Sequence, residues 1–271
     1  MKTALVISGG GCKGAFAVGA IEWLLEKGLS FDILIGTSTG ALITPLVGGD
    51  RFEVAKEIYS NIKTKQLIRK YCWLTLPWRS AIYNDKGLRK VIDKNYTDEL
   101  HKKLCASDRE ILVCTVSLNT GETCYWSPND LDRDGFARAL SASSNQPGLM
   151  PPRRIKIGED YHVDGGVREI APIQKAIECG AKKVFAIVLE PSNVSESTGE
   201  FNRILPILLR SLELVFVETR KNDIEIAEHH GTELIIIRPK VHLTKNSLEF
   251  IPEEMRAMMK DGYQQARTIY P

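Results

Sequence analysis

Short apolar runs alternate with amphipathic stretches along most of the chain. The apolar run at 5–7 leads into glycines, and between residues 15 and 24 the apolar positions recur at helical spacing. A second run at 33–35 is followed in the same way by a short segment with helical spacing at 39–47. Units of strand, turn and helix in this order are typical of parallel sheets with helices packed against them.

The pattern continues to the end of the chain. It predicts strands at 111–118, 184–190 and 233–239, a hairpin partner at 122–127, two short strands within 153–164, and helices at 51–70, 132–142, 172–180, 203–228 and 252–269. We therefore predict an α/β fold with three layers, in which a mainly parallel central sheet carries helices on both faces. No linker, repeat or low-complexity stretch interrupts the pattern, so residues 1–271 are interpreted as one domain.

Charge and cysteine content narrow the range of partners. The 271 residues include 36 basic and 34 acidic side chains, and the net charge of +2 is too small to indicate nucleic-acid binding. The six cysteines form no C-x-x-C pair and have no neighbouring histidine cluster, so we predict neither a disulfide framework nor a metal site. The N-terminal apolar segment is shorter than a signal-peptide core of about 7–15 residues. No apolar run reaches the roughly 18 residues of a membrane span, and we expect a cytoplasmic protein.

A glycine-rich loop follows the first predicted strand. Gly9, Gly11 and Gly14 satisfy the G-x-G-x-x-G spacing that seats dinucleotide phosphates at a helix N-terminus. A dinucleotide site also needs an acidic residue at the end of the second strand, but Asp32 precedes that strand. A nucleotide-binding P-loop is excluded as well, because Ala15 follows Gly14 where that motif has lysine. The loop is therefore predicted to hold another kind of anion.

The second predicted strand ends in the sequence GTSTG, from Gly36 to Gly40, which matches G-x-S-x-G. Glycines at both ends of this motif permit the tight strand-to-helix turn that exposes a nucleophilic serine. If the first two strands are parallel neighbours, the glycine loop lies beside Ser38 at one edge of the sheet. The anion is then the oxyanion that forms when Ser38 attacks a carbonyl group, with the Gly10 and Gly11 amides as hydrogen-bond donors.

Two residues are candidates for the base that a serine nucleophile needs. His242 lies in the loop after the last predicted strand, where a Ser-His-Asp triad often places its histidine. Asp164 ends a strand, and Gly165 and Gly166 permit a sharp turn after it. A free aspartate has a pKa of about 3.9 and is a weak base unless its site strengthens it. Both candidates remain open at this point.

Four separated blocks resemble the patatin-like phospholipase family. GGGCKG at 9–14 resembles the oxyanion loop of that family, and GTSTG resembles its nucleophile elbow. SSNQPGLMPP resembles the block before the base, from which Asn145, Gln146 and Met150 depart, and VDGG at 163–166 resembles the base motif. The resemblance covers residues 3 to about 190.

This resemblance implies that Ser38 and Asp164 form a catalytic dyad without histidine, which hydrolyses acyl esters of lipids through an acyl-enzyme. It implies no metal and no cofactor. The other site residues that it implies are the oxyanion and substrate-binding loop, Gly9, Gly10, Gly11, Cys12, Lys13 and Gly14, and the supporting glycines Gly36, Gly40, Gly165 and Gly166. Two alternatives remain: a Ser-His-Asp esterase that uses His242, and a lipid-binding protein of the same fold that has no turnover.

Two stretches are candidates for contact with lipid. The segment 203–220 is apolar at nearly every position up to Val217 and is interpreted as a core helix, with an acyl-pocket wall or a dimer contact as alternatives. In 69–79, tryptophans are interleaved with basic residues, which is typical of a membrane interface. The candidates for peripheral membrane contact are Arg69, Lys70, Trp73 and Trp78.

Overall fold

The computed structural model describes most of the chain. The described residues are 1–72, 78, 80–151, 156–192, 207, 210–211, 214–219, 221, 223–224 and 231–271. Trp73, the pair His229 and His230, and much of the predicted helix at 203–228 lie outside the described residues.

Most of the strands in the described part of the chain form one sheet. The strands are β1 (Thr3–Ile7), β2 (Ile33–Thr37), β3 (Arg69–Lys70), β4 (Tyr83–Asn84), β5 (Glu110–Ser117), β6 (Thr123–Trp126), β7 (Lys156–Ile157), β8 (Asp160–Asp164), β9 (Lys183–Ile187) and β10 (Glu233–Ile237). The order in the sheet is β10-β9-β1-β2-β5-β8-β7, and β6 also pairs with β5. The pairs from β10 to β5 are parallel, whereas β6, β7 and β8 add antiparallel pairs.

The described helices are α1 (Gly14–Glu26), α2 (Thr39–Gly48), α3 (Phe52–Asn61), α4 (Thr64–Leu67), α5 (Lys86–Asn95), α6 (Asp98–Cys105), α7 (Arg133–Ser143), α8 (Ile173–Glu178) and α9 (Pro252–Ile269). The predicted helix at 51–70 is two helices, because Ile62 adopts an extended conformation after α3. Described residues between 207 and 224 are helical as well. None of the helices described here is both long and apolar enough to cross a membrane.

Alternate residues of β1 pack into two separate cores. Leu5 and Ile7 belong to the apolar cluster that includes Phe16 of α1, whereas Ala4 and Val6 belong to a second cluster that includes Ile173 of α8. Side chains at successive positions of a strand point to opposite faces, so both faces of the sheet are covered by helices. The prediction of three α/β layers with a mainly parallel sheet is confirmed.

Strand register brings the sequence-predicted motifs to one edge of the sheet. In the parallel pair of β1 and β2, Ile7 lies opposite Gly36, so the glycine loop and the GTSTG turn follow neighbouring strand ends. On the other side of β2, Thr37 pairs with Cys114 of β5. The next residue of β5, Thr115, pairs with Asp164. Asp164 therefore reaches the point where Ser38 leaves the sheet, although β8 is antiparallel to β5.

Helices α1 and α9 cross with their backbones in direct contact. A Cβ atom at Gly19 would overlap the carbonyl oxygen of Met259, and one at Gly262 would overlap the carbonyl oxygen of Phe16. We expect Gly19→Ala to lower the free energy of unfolding by about 1–3 kcal/mol, because the helices must separate to accept the methyl group. Urea denaturation measures the change, with Lys260→Ala on the exposed face of α9 as the control. An unchanged midpoint in Gly19→Ala would contradict the close crossing.

Candidate active site

Ser38 occupies a strained turn between β2 and α2. Its φ of 56° and ψ of −122° lie in a region that side-chain-bearing residues rarely adopt. The turn is so tight that only glycine fits at two positions. A Cβ atom at Gly36 would overlap Gly40, and one at Gly40 would overlap the carbonyl oxygen of Ile7. The two glycines of the motif are therefore required by close backbone contacts, and the hydroxyl-bearing residue is raised from the sheet edge.

Two serines at the end of α7 hold the backbone of this turn. The hydroxyl oxygen of Ser143 accepts a hydrogen bond from the Ser38 N–H at 2.9 Å. The hydroxyl of Ser144 donates to the Leu140 carbonyl at 3.0 Å and also lies 3.5 Å from the Ser38 carbonyl oxygen. In the sequence, these two serines begin the third block that resembles the family. Their position in that block does not by itself indicate that they hold the Ser38 backbone.

Asp164 is buried beside Ser38. It is 5% exposed, and its carboxylate accepts a hydrogen bond from the Gly166 N–H at 2.9 Å. Burial raises the pKa of Asp164 from 3.8 to about 6, and the nearby Ser38 hydroxyl and the Gly166 N–H oppose that rise. A Cβ atom at Gly165 would lie 2.6 Å from Sγ of Cys114, so the chain can turn here only as glycine.

The glycine loop is held so that two of its amides keep no partner. Gly9 N–H donates to the Ile170 carbonyl at 3.1 Å, and Cys12 N–H donates to the Ser247 carbonyl at 2.8 Å. The N–H groups of Lys13 and Gly14 bond within the turn at 10–14. Among the described residues, none accepts from Gly10 or Gly11 N–H.

These two amides belong to a loop that touches the serine. A Cβ atom at Gly9 would lie 3.1 Å from Cβ of Ser38. Gly11 has a φ of +59°, and a Cβ atom there would overlap the Ser247 carbonyl oxygen. A helix-start loop with two unpaired N–H groups beside a serine is suited to hold an oxyanion.

A cavity of about 950 Å³ opens at these groups. Of the sequence-predicted residues, Gly9, Gly10, Gly11, Lys13, Ser38, Asp164, Gly166 and His242 line it. Cys12, Gly14, Gly36, Gly40 and Gly165 do not line the cavity and instead support its walls. Burial raises the pKa of the Cys12 thiol to about 11.

Most of the cavity wall is apolar. Helices α2 to α5 and the link between α3 and α4 contribute a set of aliphatic side chains, Leu42, Leu46, Ile58, Ile62, Leu67, Leu88, Val91 and Ile92. Leu149 and Met150 close the same side, while the buried Asn145 side chain donates to the Pro151 carbonyl at 3.1 Å and does not face the cavity. Gln146 does line it. The wall is suited to an alkyl chain.

The interpretation of 203–220 as a core helix is wrong for its described residues. Ile207, Leu214 and Val215 are each about 45% exposed, whereas Phe216 and Val217 line the cavity. The apolar residues of this segment thus lie on two faces, of which one contacts the cavity and the other lies at the surface. Asp223, which the sequence analysis missed, accepts from Ile170 N–H at 3.0 Å and from Ala171 N–H at 2.9 Å.

The described histidines do not contact the Ser38–Asp164 pair. Nδ1 of His242 lies 3.3 Å from a carboxylate oxygen of Glu190. His162 is buried, and its Nδ1 lies 3.1 Å from the Thr115 hydroxyl. His101 bonds to the Tyr96 hydroxyl at 2.7 Å. The structure therefore brings together Ser38 and Asp164, and it brings His242 to another carboxylate.

Comparisons with known proteins agree with the motifs. The family model described as Patatin-like phospholipase matches residues 5–177. A Bacillus subtilis (strain 168) protein called Uncharacterized protein YqhO is 30% identical over 207 residues, which cover 69% of this chain and 70% of that protein. The crystal structure of VipD from Legionella pneumophila is similar with a TM-score of 0.54 at 15% identity, covering 99% of this chain and 66% of that chain. At this identity the likeness concerns the fold alone.

Much longer proteins match over the same region. Lysophospholipase NTE1 of Debaryomyces hansenii is 27% identical over 192 residues, which are 68% of this chain and 11% of that protein. Patatin-like phospholipase domain-containing protein 7 of Rattus norvegicus is 28% identical over 199 residues, which are 68% of this chain and 13% of that protein. The present chain thus spans little more than a tenth of these relatives.

The raised pKa of Asp164 has a measurable effect on stability. Its folded-state pKa of about 6 exceeds the ordinary 3.8, so the ionised form destabilises the fold. Below about pH 4 the carboxyl is protonated in both states and costs nothing, and above about pH 6 the full cost is present. We expect Asp164→Asn to be more stable than the wild type by up to about 3 kcal/mol at pH 7.5, because each pKa unit corresponds to about 1.4 kcal/mol.

Denaturant unfolding at pH 4 and pH 7.5 measures this difference. The gain of Asp164→Asn should shrink toward zero at the lower pH. Asp160→Asn, on the same strand and partly exposed, is the matched control. If Asp164→Asn is equally or less stable than the wild type at pH 7.5, the claim that the ionised Asp164 carboxylate destabilises the fold is wrong.

Proposed function

Because the chain belongs to the patatin-like phospholipase family, we propose that it is a serine hydrolase that cleaves acyl ester bonds of lipids, with Ser38 as nucleophile and Asp164 as base. The observation that carries this proposal is that the buried Asp164 carboxylate lies beside the Ser38 hydroxyl on the wall of one cavity. The Gly10 and Gly11 amides, which have no partner among the described residues, line the same cavity and add the donors that an acyl transfer needs.

The proposed reaction begins with attack of Ser38 Oγ on the ester carbonyl carbon while Asp164 takes the hydroxyl proton. The carbonyl oxygen becomes an oxyanion that accepts hydrogen bonds from Gly10 and Gly11 N–H. When the tetrahedral intermediate collapses, the alcohol leaves with the proton from Asp164, and the acyl group stays on Ser38. A water molecule, deprotonated by Asp164, then releases the fatty acid and restores the serine.

The environment of Asp164 suits this work. A carboxylate with a pKa of about 6 is mostly ionised at neutral pH, and it is a far stronger base than one with a pKa near 4. Burial supplies the rise, and the Gly166 N–H orients the carboxylate. The geometry disfavours the triad alternative, since the described contact of His242 is with Glu190.

The substrate that we propose is a phospholipid or a lysophospholipid, hydrolysed as by a phospholipase A or lysophospholipase. Two supports are the apolar cavity wall, which suits an acyl chain, and the names of longer relatives, which include lysophospholipases. We also propose a cytoplasmic protein that contacts a membrane surface peripherally. Arg69 and Lys70 are exposed and Trp78 is 79% exposed, while the adjacent Ile68 lines the cavity.

The first test is covalent labelling with a fluorophosphonate probe. We expect the wild type to be labelled and Ser38→Ala to lose all labelling, with the exposed Ser211→Ala as the control. Asp164→Asn should slow labelling by about 100-fold or more, because the general base is lost. His242→Ala should slow it by less than about ten-fold, whereas a triad histidine would cost several orders of magnitude.

Each outcome separates two hypotheses. Strong loss in His242→Ala with little loss in Asp164→Asn would favour the Ser-His-Asp esterase. A folded wild type that is not labelled would favour a lipid-binding protein without turnover.

The second test is the pH dependence of ester hydrolysis. Because Asp164 must be ionised to accept the proton, kcat/KM should fall about ten-fold per pH unit below an apparent pKa of about 6. An ordinary histidine would give a similar acid limb, so the profile is measured for the wild type and for His242→Ala. An acid limb that persists in His242→Ala supports Asp164, and one that disappears assigns it to His242.

A further inference from the structure

A buried charge of the glycine loop lies on the wall of the cavity. Lys13 is 8% exposed and forms an ion pair with Glu190, which lies just beyond the end of β9. The other carboxylate oxygen of Glu190 lies 3.3 Å from Nδ1 of His242. An ammonium group at this depth needs a charged partner, because an unpaired buried charge is strongly destabilising. Glu190 therefore determines where the Lys13 side chain can lie.

The Lys13 side chain in turn packs near Cα of Gly10. A Cβ atom at Gly10 would lie 3.4 Å from Cε of Lys13 and 2.9 Å from Cδ1 of Leu189. Leu189 is itself fixed, because its N–H donates to the Ser8 hydroxyl oxygen at 3.0 Å. The Gly10 peptide is thus enclosed between the lysine stem and Leu189. A shift of the lysine stem would open this enclosure and free the peptide to rotate.

A second anchor holds the other end of the turn. The Ser247 carbonyl accepts from Cys12 N–H at 2.8 Å, and it leaves no room for a side chain at Gly11. Ser247 and Glu190 both lie outside residues 5–177, the part that matches the family model. The glycine motif alone therefore does not fix the direction of its amides in this chain.

We propose that Glu190 is a positioning residue for the oxyanion loop. By pairing with Lys13 it keeps the Gly10 and Gly11 N–H groups directed at the carbonyl oxygen that Ser38 attacks, and His242 steadies the Glu190 carboxylate. The role of His242 is then to hold Glu190 and not to accept the serine proton. This inference rests on the proposed function, since the direction of the amides matters only if an oxyanion forms there.

The test is the steady-state hydrolysis of a p-nitrophenyl acyl ester by Glu190→Gln. The substitution keeps the size of the side chain and removes the charge that holds Lys13. Loss of one oxyanion donor costs about 10²–10³ in kcat, so misdirected amides should lower kcat by about ten-fold or more. KM should stay within about three-fold, because the apolar wall that would hold the acyl chain is untouched.

Glu233→Gln is the matched control. Glu233 also pairs with a lysine, Lys183 at 3.0 Å, but on β10 and away from the cavity. A double-mutant cycle with Lys13→Met then separates a joint role from two separate ones. If Glu190 acts through Lys13, the double variant should lose no more kcat than the worse single variant.

The results of these experiments distinguish failure of the positioning role of Glu190 from failure of the proposed hydrolase function. A folded Glu190→Gln with wild-type kcat, or a double variant whose loss is the product of the single losses, overturns the positioning role and leaves Ser38 chemistry standing. A wild type that neither hydrolyses the ester nor labels at Ser38 overturns both. If Glu190→Gln does not fold, Glu190→Asp keeps the charge with a shorter reach, and a kcat equal to that of the wild type would contradict the role.

Discussion

A carboxylate that is removed from water beside a serine hydroxyl is the constraint on which the site depends. Asp164 is 5% exposed, accepts a hydrogen bond from the Gly166 N–H and lies beside the Ser38 hydroxyl. Ionised carboxylates are rarely buried with so few donors, and the raised pKa measures the resulting cost. The same cost makes the group a stronger base. Stability lost at Asp164 and reactivity gained there have one physical origin, so neither can be changed without the other.

The sheet tolerates this strained edge because its interior is rigid. Five parallel strands are covered on both faces by apolar clusters, and the Ser38 turn is closed by glycines that touch backbone on the neighbouring strand. A residue with φ of 56° keeps that conformation only where its surroundings determine it. Here the surroundings are the Ile7 carbonyl, the Ser143 hydroxyl and the start of α2. The backbone strain at the serine is thus balanced by packing that lies mostly outside the cavity.

The sequence predicted the local features of the site but not the hydrogen bonds that hold it from distant parts of the chain. The strand-turn-helix pattern and the glycine spacing predicted the turn at Ser38, the loop at Gly10 and Gly11, and the parallel pairing of β1 with β2, because each depends on residues close together in the chain. The hydrogen bonds that Ser143, Asp223 and Ser247 accept join segments far apart in sequence. No periodicity encodes them, since a single serine or aspartate has many possible partners. The prediction of a core helix at 203–220 was wrong at its described residues for a related reason: apolar composition indicates contact with something apolar, but not whether that contact is core or cavity.

Lys13 belongs to the local glycine motif, but its position depends on a partner that is distant in sequence. A lysine next to a glycine loop would ordinarily suggest a charge that binds the oxyanion directly. Its pairing with Glu190 offsets the charge of Lys13, so we expect the proposed oxyanion to be stabilised mainly by the Gly10 and Gly11 amides. Amide dipoles stabilise a developing charge well only if they are fixed before it forms, because reorientation during the reaction would cost the energy they supply. An ion pair between the loop and an extension of β9 is a direct way to fix them, since β9 pairs with β1 over its whole length. We therefore infer that the glycines, which follow β1, are oriented by Glu190, which follows the neighbouring strand β9 at the same edge of the sheet.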